Sequence, residues 1–261
     1  MLISSRDNPA VKRVRGLLGS AKMRRESDRF VLEGARLCED AVRSGIAVEA
    51  AFLTARAEET YPEQTRAVRD AASAVYEITE ALATYIGDTQ HPQGVFCVCA
   101  PPPARLSADS LPGTGRFLAL ENVRDPGNLG TIIRTAEAFG ADGLLLSAEC
   151  CELYSPKVLR GSMGGALRLP VAVVPDLSGA IARWNERGFR TVACVADAAA
   201  TPMPEASLGD GCILFIGNEA NGLTPETQAA CTERMTIPMK GRAESLNAAV
   251  AACIVLWELT R

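Results

Sequence analysis

The part of the chain after residue 115 alternates short apolar segments with amphipathic ones, and this alternation limits the possible folds more than any other feature. Apolar runs bounded by turn residues predict strands, whereas apolar residues at helical spacing predict helices. Strands that are apolar on both faces and separated by helices form parallel sheets covered on both sides. We therefore predict an α/β fold with a parallel sheet, with strands at 116–120, 143–146, 171–174, 191–195, 212–216 and 235–237 and helices at 131–139, 155–161, 178–187 and 246–259.

The first hundred residues contain a shorter pattern of the same kind and predict a separate small α/β domain. The following segment, 101–115, is rich in proline, glycine and small polar residues, which is typical of a linker. The sequence thus predicts a small domain over 1–100, a linker over 101–115 and a second domain over 116–261. In the small domain, helices are expected at 8–18 and 34–44, and strands at 30–32, 50–53, 75–78 and 95–98.

Single residue types exclude several classes of protein. The one histidine, His91, rules out an HExxH zinc site, and neither a GxxxxGK[ST] phosphate loop nor a GxGxxG segment is present. The longest apolar run, 248–257, is ten residues, about half of the roughly 20 that span a bilayer. The N-terminal segment carries charges where a signal peptide is apolar. Nine cysteines without CxxC spacing predict reduced structural thiols. We therefore expect a cytoplasmic protein with no metal and no membrane partner.

Positive charge is concentrated near the N-terminus, although the formal net charge of the chain is −4. Residues 1–36 contain nine Lys or Arg and only four Asp or Glu. Nucleic-acid binding depends largely on contacts between such basic side chains and phosphates. This distribution predicts a polyanion-binding surface on the first domain, and the alternative is a solvated helix face with no partner.

Three polar segments follow predicted strands, where ligands bind in open parallel sheets because the carboxyl ends of the strands form a crevice. In the first, Gly130 is expected to open a helix whose free N–H groups, together with Arg134, would hold a phosphate. In the second, Gly217 at a strand end permits close approach of a flat ligand. In the third, Ser245 is the expected N-cap of the last helix. Taken singly, each also fits a plain structural role as a capped helix with a surface arginine, a turn or a helix cap. The segments are 121–143, 214–226 and 237–258.

The order and spacing of the three segments closely resemble the signature motifs of the SpoU (TrmH-type) RNA 2′-O-methyltransferases of the SPOUT class. The matches are N-x-x-D-P-x-N-x-G-x-x-x-R-T-A in 122–136, I-G-N-E-x-x-G-L in 216–223 and I-P-M-x-x-x-x-E-S-L-N-A-x-V-A in 237–251. The resemblance is strong over 116–261. The stretches SSRDNPAVKRVRGLL and RFVLEGARLCEDA also resemble the substrate-binding domain that precedes the catalytic domain in the branch acting mostly on ribosomal RNA.

The resemblance implies a fold and a cofactor for the second domain. The fold would include a C-terminal trefoil knot, a feature nearly absent from other proteins. The knotted loops would bind S-adenosylmethionine in a bent conformation, and two copies would pack as a homodimer through the knotted region. The cofactor-binding residues that the resemblance implies are Gly217, Ile237, Met239, Leu246 and Asn247, with Ala196 as a weaker addition.

The resemblance also implies a reaction, in which a ribose 2′-oxygen attacks the sulfonium methyl group of S-adenosylmethionine in line and without a metal. A ribose hydroxyl is a poor nucleophile, so its proton must be removed or shared as the bond forms. The family assigns this role to the arginine matching Arg134, but a guanidinium normally stays protonated. We expect Arg134 to clamp an RNA phosphate, and Glu219 either to hold Arg134 or to accept a proton through water. The implied catalytic residues are Asn128, Arg134, Glu219, Ser245 and Asn247.

The substrate expected from the resemblance is RNA, because DNA lacks the 2′-hydroxyl group. Ribosomal RNA of the large subunit is favoured, and a transfer-RNA ribose methyltransferase is the alternative. A non-catalytic RNA-binding factor for ribosome assembly is a second alternative, and base methylation is disfavoured because the motifs are those of the ribose branch. The side chains expected to contact the RNA backbone are Lys12, Arg24, Arg25 and Arg36.

Overall fold

A computed structural model of the chain describes residues 2–102 and 106–261. The helices are α1 (Pro9–Gly19), α2 (Ala21–Ser27), α3 (Ala35–Arg43), α4 (Ala55–Thr60), α5 (Pro62–Ala71), α6 (Glu80–Ile86), α7 (Pro126–Ala138), α8 (Pro156–Gly161), α9 (Gly165–Arg168), α10 (Leu177–Glu186), α11 (Pro225–Ala230) and α12 (Ala248–Thr260), with 3₁₀ turns at Ala108–Ser110 and Met203–Glu205. The strands are β1 (Leu2–Ile3), β2 (Phe30–Glu33), β3 (Val48–Leu53), β4 (Ala74–Ile78), β5 (Val95–Cys99), β6 (Phe117–Leu120), β7 (Gly143–Ser147), β8 (Val171–Val174), β9 (Arg190–Cys194), β10 (Thr201–Pro202), β11 (Cys212–Ile216) and β12 (Glu233–Thr236).

The chain divides into two compact units. The first unit comprises Met1–Pro103 and Glu152–Arg168, and the second comprises Ala104–Cys151 and Leu169–Arg261. Each unit has one sheet and its own hydrophobic core. The two units are therefore described separately.

The first unit contains a five-stranded mixed sheet in the order β1-β4-β3-β5-β2. Strand β5 pairs antiparallel with β2 and β3, and the other pairs are parallel. Helices α1 and α6 contribute Leu17 and Ile86 to the core on one face of this sheet. At the start of β3, the carboxylate of Glu49 accepts hydrogen bonds from Arg13 and Arg29, and these hydrogen bonds lower the pKa of Glu49 to about 2.

The segment Glu152–Arg168 belongs to the first unit, although the predicted domain boundaries assign it to the second. The ring of Tyr154 stacks on that of Phe30, with 4.5 Å between ring centroids and an interplanar angle of 10°. The guanidinium of Arg24 donates two hydrogen bonds to the carboxylate of Glu152, at 2.8 and 2.6 Å. Packing of this kind is decided by side chains far apart in the sequence, so local patterning does not reveal it.

The second unit contains a seven-stranded sheet in the order β10-β12-β9-β11-β6-β7-β8, and every pair of neighbouring strands is parallel. The central strands β6 and β11 are buried along their whole length. Their last residues, Leu120 and Ile216, are register partners, so the segments that follow them leave the sheet side by side. This arrangement confirms the predicted α/β fold with a parallel sheet.

Helix α7 begins earlier than the sequence predicted. The side chain of Asp125 accepts a hydrogen bond from the backbone N–H of Asn128 at 2.8 Å, and Pro126 occupies the first helical position. Aspartate at the N-cap and proline at the first position are both strongly favoured at helix starts. Gly130 therefore lies inside the helix and does not open it, which corrects the expectation of a bare helix start at this glycine.

Helix α12 begins later than predicted. Its N-cap is Asn247, whose side-chain oxygen accepts hydrogen bonds from the backbone N–H groups of Ala249 and Val250 at 2.9 and 3.2 Å. Ser245 precedes the cap and is exposed. The prediction that Ser245 caps the helix is therefore wrong, because asparagine two residues later satisfies the free N–H groups.

The predicted linker is only partly described, because residues 103–105 lie outside the described part of the chain. Residues 106–115 belong to the second unit and pack onto its core. Trp184 donates a hydrogen bond from Nε1 to the carbonyl of Ala108 at 2.7 Å, and Arg187 donates to the carbonyl of Leu111 at 2.6 Å. Because Leu111 is itself buried in the core of this unit, residues 106–115 are held in place.

Candidate active site

A pocket of about 450 Å³ lies in the second unit, beyond the carboxyl ends of β9, β11 and β12. Its volume falls within the range of roughly 300–1,000 Å³ that small-molecule sites occupy. Its wall includes one segment after each of these strands and the turn before α12. Five of the six predicted cofactor-binding residues line it, namely Ala196, Gly217, Ile237, Met239 and Leu246. The sixth, Asn247, lies just outside the lining. Ser245, which was predicted as a catalytic residue, also lines the pocket.

The GNEANGL loop, defined here as residues 217–223, forms one side of this pocket. Asn218 and Gly222 exchange two backbone hydrogen bonds, at 3.0 and 2.9 Å, which close the loop on itself. Gly222 has a φ of 68°, a conformation that glycine adopts without steric cost. A Cβ atom added to Gly217 would lie 2.0 Å from the carbonyl carbon of Gly222, so the two ends of the loop are in close contact and only glycine fits there.

One hydrogen-bond chain connects the three polar segments beside the pocket. Asn247 donates from Nδ2 to Oδ1 of Asn128 at 3.1 Å, and Asn128 donates from Nδ2 to Oε1 of Glu219 at 2.8 Å. The other carboxylate oxygen of Glu219 accepts from Nδ2 of Asn218 at 3.3 Å. Each amide therefore has a defined orientation, and the chain ends on a carboxylate that accepts hydrogen bonds at both oxygens. Such an arrangement can orient a polar substrate group and take up a proton.

Arg134 and Ser245 do not join this chain. Arg134 is exposed on α7, six residues after Asn128 and thus about 9 Å farther along the helix axis. Within the described residues it has no hydrogen-bond or ion-pair partner. The expectation that Glu219 holds Arg134 is therefore wrong for this structure, because Glu219 pairs with asparagine amides instead. The free guanidinium of Arg134 is available to a ligand.

Two polar groups of the pocket wall were not among the predicted site residues. Arg234 donates to the carboxylate of Asp197 at 2.6 Å, and both residues line the pocket. The hydrogen bond from Arg234 helps to keep the pKa of Asp197 below its ordinary value, after the larger effect of the backbone N–H of Ala199. Asp197 is the second residue after the predicted strand 191–195, and that position was a usable sequence signal.

Two thiols close to the site are protonated at neutral pH. Burial raises the pKa of the Cys194 thiol, which lines the pocket, to about 12. Burial also raises the pKa of Cys151 to about 12, and the nearby charge of Glu219 adds to this effect. The thiolate is the nucleophilic form of cysteine. Neither residue is therefore suited to carry a group covalently.

The structure separates the predicted RNA-contacting residues of the first unit into two kinds. Arg24 is buried, with 7% of its surface exposed, and its guanidinium is fully used by Glu152 and two backbone carbonyls. The prediction that Arg24 contacts RNA is therefore wrong. Lys12 is exposed and forms a surface ion pair with Asp7 at 2.8 Å. Arg25 and Arg36 are exposed, and neither has an ion-pair partner among residues 2–102 and 106–261.

The described residues form neither a metal site nor a helical membrane span. No group of three or more histidine, cysteine, aspartate or glutamate side chains there could hold a metal ion. None of the helices described combines the length and apolar character needed to cross a bilayer.

Comparison with known protein families identifies both parts of the chain. The model of the SpoU rRNA Methylase family matches residues 115–257, and that of the MRM3-like substrate binding domain matches residues 8–97. An uncharacterised tRNA/rRNA methyltransferase of Synechocystis sp. is 33% identical over 99% of this chain and 93% of its own length.

Solved structures agree with these matches over nearly the whole chain. The AdoMet-bound rRNA methyltransferase from Sinorhizobium meliloti superposes with a TM-score of 0.86 and 31% identity, covering 99% of this chain and 97% of that one. A structure described as an RNA 2′-O ribose methyltransferase has a TM-score of 0.82 and 30% identity, covering 99% and 98%. The chain therefore belongs to the SpoU family of RNA methyltransferases and carries an MRM3-like substrate-binding domain ahead of its methylase domain.

Proposed function

We propose that this protein transfers a methyl group from S-adenosylmethionine to the 2′-oxygen of a ribose in RNA, with large-subunit ribosomal RNA as the substrate. The observation that carries the proposal is the hydrogen-bond chain through Asn247, Asn128 and Glu219, which lies beside a pocket of ligand size. The similarity to the RNA 2′-O ribose methyltransferase supports the ribose as target, and the similarity to the rRNA methyltransferase from Sinorhizobium meliloti supports ribosomal RNA.

The pocket residues suit S-adenosylmethionine, which would supply an electrophilic methyl group on a positively charged sulfur. Ile237 and Leu246 form apolar parts of the pocket wall and would pack against the apolar parts of the cofactor. Gly217 lines the pocket, and its lack of a side chain lets the two ends of the GNEANGL loop approach each other closely. Asp197 and Arg234 offer one charge of each sign, which suits the zwitterionic amino-acid end of the cofactor. Apolar walls with a few directed polar groups are typical of cofactor sites.

In this proposal residues of the three polar segments orient the ribose hydroxyl and accept its proton. Asn247 and Asn128 hold the carboxylate of Glu219 in one orientation. Glu219 is the one carboxylate in this hydrogen-bond chain. It accepts the hydroxyl proton directly or through a water molecule as the 2′-oxygen becomes methylated, and S-adenosylhomocysteine would be the leaving group. Arg134, whose guanidinium is free in the described structure, clamps an RNA phosphate and thereby places the hydroxyl. Ser245, exposed at the pocket wall, contributes a neutral donor and acceptor.

The first unit binds the RNA in this proposal. The exposed basic side chains of this unit that can contact phosphates include Lys12, Arg25 and Arg36. Arg24 is excluded because it is buried. The match to an MRM3-like substrate binding domain over residues 8–97 supports this assignment.

We also propose that the second unit ends in a trefoil knot and forms a homodimer through this region, in the cytoplasm. An exposed apolar surface on α7 and α12 supports the dimer. The rings of Phe139 and Trp257 contact each other edge to face, and 37% and 56% of their surfaces are exposed. Val250 on the same helix α12 is 48% exposed. Exposed apolar side chains grouped in this way are typical of protein–protein interfaces.

The direct test is transfer of labelled methyl from S-adenosylmethionine to unmodified ribosomal RNA, to large-subunit particles and to transfer RNA in separate reactions, followed by digestion to nucleosides. We expect a labelled 2′-O-methylnucleoside from one of the two ribosomal substrates. Label in transfer RNA alone would refute the substrate class, and a base-methylated nucleoside would refute the reaction. No label in any reaction, with cofactor binding intact, would favour a non-catalytic RNA-binding factor.

A pair of arginine variants tests the proposed phosphate clamp. Arg134→Ala is expected to abolish methyl transfer while the protein still binds RNA through its first unit. Arg183→Ala removes a similarly exposed arginine from α10 and should retain wild-type activity. Equal activity of the two variants would contradict the role of Arg134.

A further inference from the structure

We propose that Glu121 is a positioning residue for methyl transfer, which acts by holding the GNEANGL loop and, through it, Glu219 and one wall of the pocket. This inference rests on the function proposed above. Glu121 directly follows β6 and precedes the first motif of the family, and it touches neither the pocket nor the hydrogen-bond chain itself.

Glu121 is a nearly buried carboxylate, 9% exposed, that accepts three hydrogen bonds from one short segment. The backbone N–H of Thr224 donates to Oε2 at 2.7 Å, and its hydroxyl donates to Oε1 at 2.9 Å. The hydroxyl of Thr227, which is also buried, donates to Oε1 at 2.5 Å. A carboxylate is costly to bury, and it is retained where several directed donors satisfy it. The side chain of Glu121 therefore fixes residue 224, where the loop joins α11.

The neighbouring residue holds the other end of the loop. The carbonyl of Asn122 accepts a hydrogen bond from Nδ2 of Asn218 at 2.8 Å. Asn122 has a φ of 57°, in the left-handed region that asparagine enters more readily than most residues other than glycine. The backbone N–H of Glu121 donates to the carbonyl of Ile216 at 2.9 Å, just before the loop begins. Residues 121 and 122 thus form hydrogen bonds to both ends of the loop, near Asn218 at its start and at Thr224 after its end.

Glu219 lies between these two anchors. The side chain of Asn218 donates both to the carbonyl of Asn122 and to the carboxylate of Glu219. Leu223, which precedes the residue held by Glu121, and Gly217 at the entry both line the pocket. Release of the exit anchor would let the loop rotate about its entry, and this rotation would displace Glu219 from Asn128 and change the shape of the pocket wall. Glu121 therefore affects both cofactor binding and the proton-accepting group without touching either.

Three variants test this inference. Glu121→Gln keeps the size of the side chain but places an NH₂ donor against the N–H of Thr224 or the threonine hydroxyls. Thr227→Val removes one of the three donors without changing the shape of the side chain, and serves where Glu121→Gln is too unstable. Glu226→Gln makes the same chemical change at an exposed position of α11 and is the matched control.

Hydrogen exchange of the full chain gives a readout that does not depend on catalysis. In Glu121→Gln, amides of residues 217–223 should exchange about tenfold faster than in wild type, while the strands β6 and β11 stay protected. Glu226→Gln should exchange like wild type. Unchanged exchange in the loop of Glu121→Gln and Thr227→Val would overturn the inference, even if the wild-type protein proved inactive or failed to bind S-adenosylmethionine.

Steady-state kinetics test whether Glu121 affects catalysis by positioning Glu219. Glu121→Gln should lower kcat about tenfold and weaken the binding of S-adenosylmethionine, measured by calorimetry, with the affinity for RNA unchanged. Combined with Glu219→Gln, it should lower kcat little further, because both changes disturb the same group. Fully additive losses in the double variant, or equal losses in kcat and RNA affinity, would reduce Glu121 to a structural residue. Absence of methyl transfer by the wild type would refute the proposed function. In that case hydrogen exchange alone would decide whether Glu121 holds the loop.

Discussion

Replacing Gly217 by alanine tests the close contact between the two ends of the GNEANGL loop. The added Cβ would lie 2.0 Å from the carbonyl carbon of Gly222 and 2.1 Å from the backbone nitrogen of Leu223. Ordinary contacts of this kind begin at 3.4 Å, so the strands of the loop must separate by about 1.4 Å. Because the obstructing atoms belong to the backbone, no side-chain rotation can relieve the clash, and the hydrogen bonds between Asn218 and Gly222 must lengthen or break.

The expected cost of this change is about 1–3 kcal/mol, which is typical of overpacking a well-packed site. A loss of 1.4 kcal/mol in binding corresponds to about a tenfold change in affinity. Since the loop forms one side of the pocket, we expect Gly217→Ala to bind S-adenosylmethionine about 10- to 100-fold more weakly than wild type. Isothermal titration calorimetry with the full chain measures this directly, and thermal unfolding shows whether the protein stays folded.

Gly241→Ala is the matched control for this experiment. Gly241 lies in the segment before α12, and a Cβ added there would meet no atom within 4 Å. Its affinity for S-adenosylmethionine should stay within twofold of wild type. If Gly217→Ala also binds within twofold, the loop is not the wall of the cofactor site and the reasoning from its geometry fails.

Three further predictions concern stability and assembly. Arg24→Gln should lower the free energy of unfolding by about 3 kcal/mol because it leaves the carboxylate of Glu152 without its cation, whereas Arg25→Gln should change it by less than about 0.5 kcal/mol; equal values in chemical denaturation would contradict the buried pair. The pKa of Glu49 is lowered from its ordinary value of 4.5 to about 2, so the ionised side chain stabilises the fold at pH values above 4.5, and this stabilisation is lost as the pH falls from 4.5 to 2. In Glu49→Gln the melting temperature should fall less over this pH range than in wild type. Parallel curves of melting temperature against pH for the two proteins would refute the assignment. Trp257→Asp should convert a dimer into a monomer in sedimentation analysis, and an unchanged mass would count against a dimer through this surface.

Local patterning predicted most of the central framework. The strands β6 and β11 lie within one residue of their predicted positions, because a run of apolar residues bounded by turns has few ways to avoid a buried sheet. Helices α4, α5 and α6 were not predicted. Helices α4 and α5 are polar and bury few apolar residues, and α6 has only seven residues, which is too short for a clear helical periodicity. Helix starts were shifted because several residues near each start can cap, and the backbone path chooses among them.

The different environments of the adjacent residues Arg24 and Arg25 could not be predicted from the sequence. Arg24 and Arg25 both fall within the short helix α2, and both appeared equally suited to contact RNA. The helix turns by about 100° from one residue to the next, so one side chain enters the unit and reaches Glu152 while the other stays in solvent. Only the packing partner, which comes 128 residues later in the chain, decides which arginine is buried.

The sequence by itself determined the parallel α/β framework, the family and five of the residues that line the pocket, because apolar periodicity and motif spacing are local properties of the chain. The tertiary structure alone decided how the motif residues act together. Asn128 is 91 residues from Glu219 and 119 from Asn247, and their amide and carboxylate groups meet because parallel strands end at one edge of the sheet. The same geometry left Arg134 free and gave Glu121 its hold on the loop, since hydrogen bonds depend on distance and direction in space.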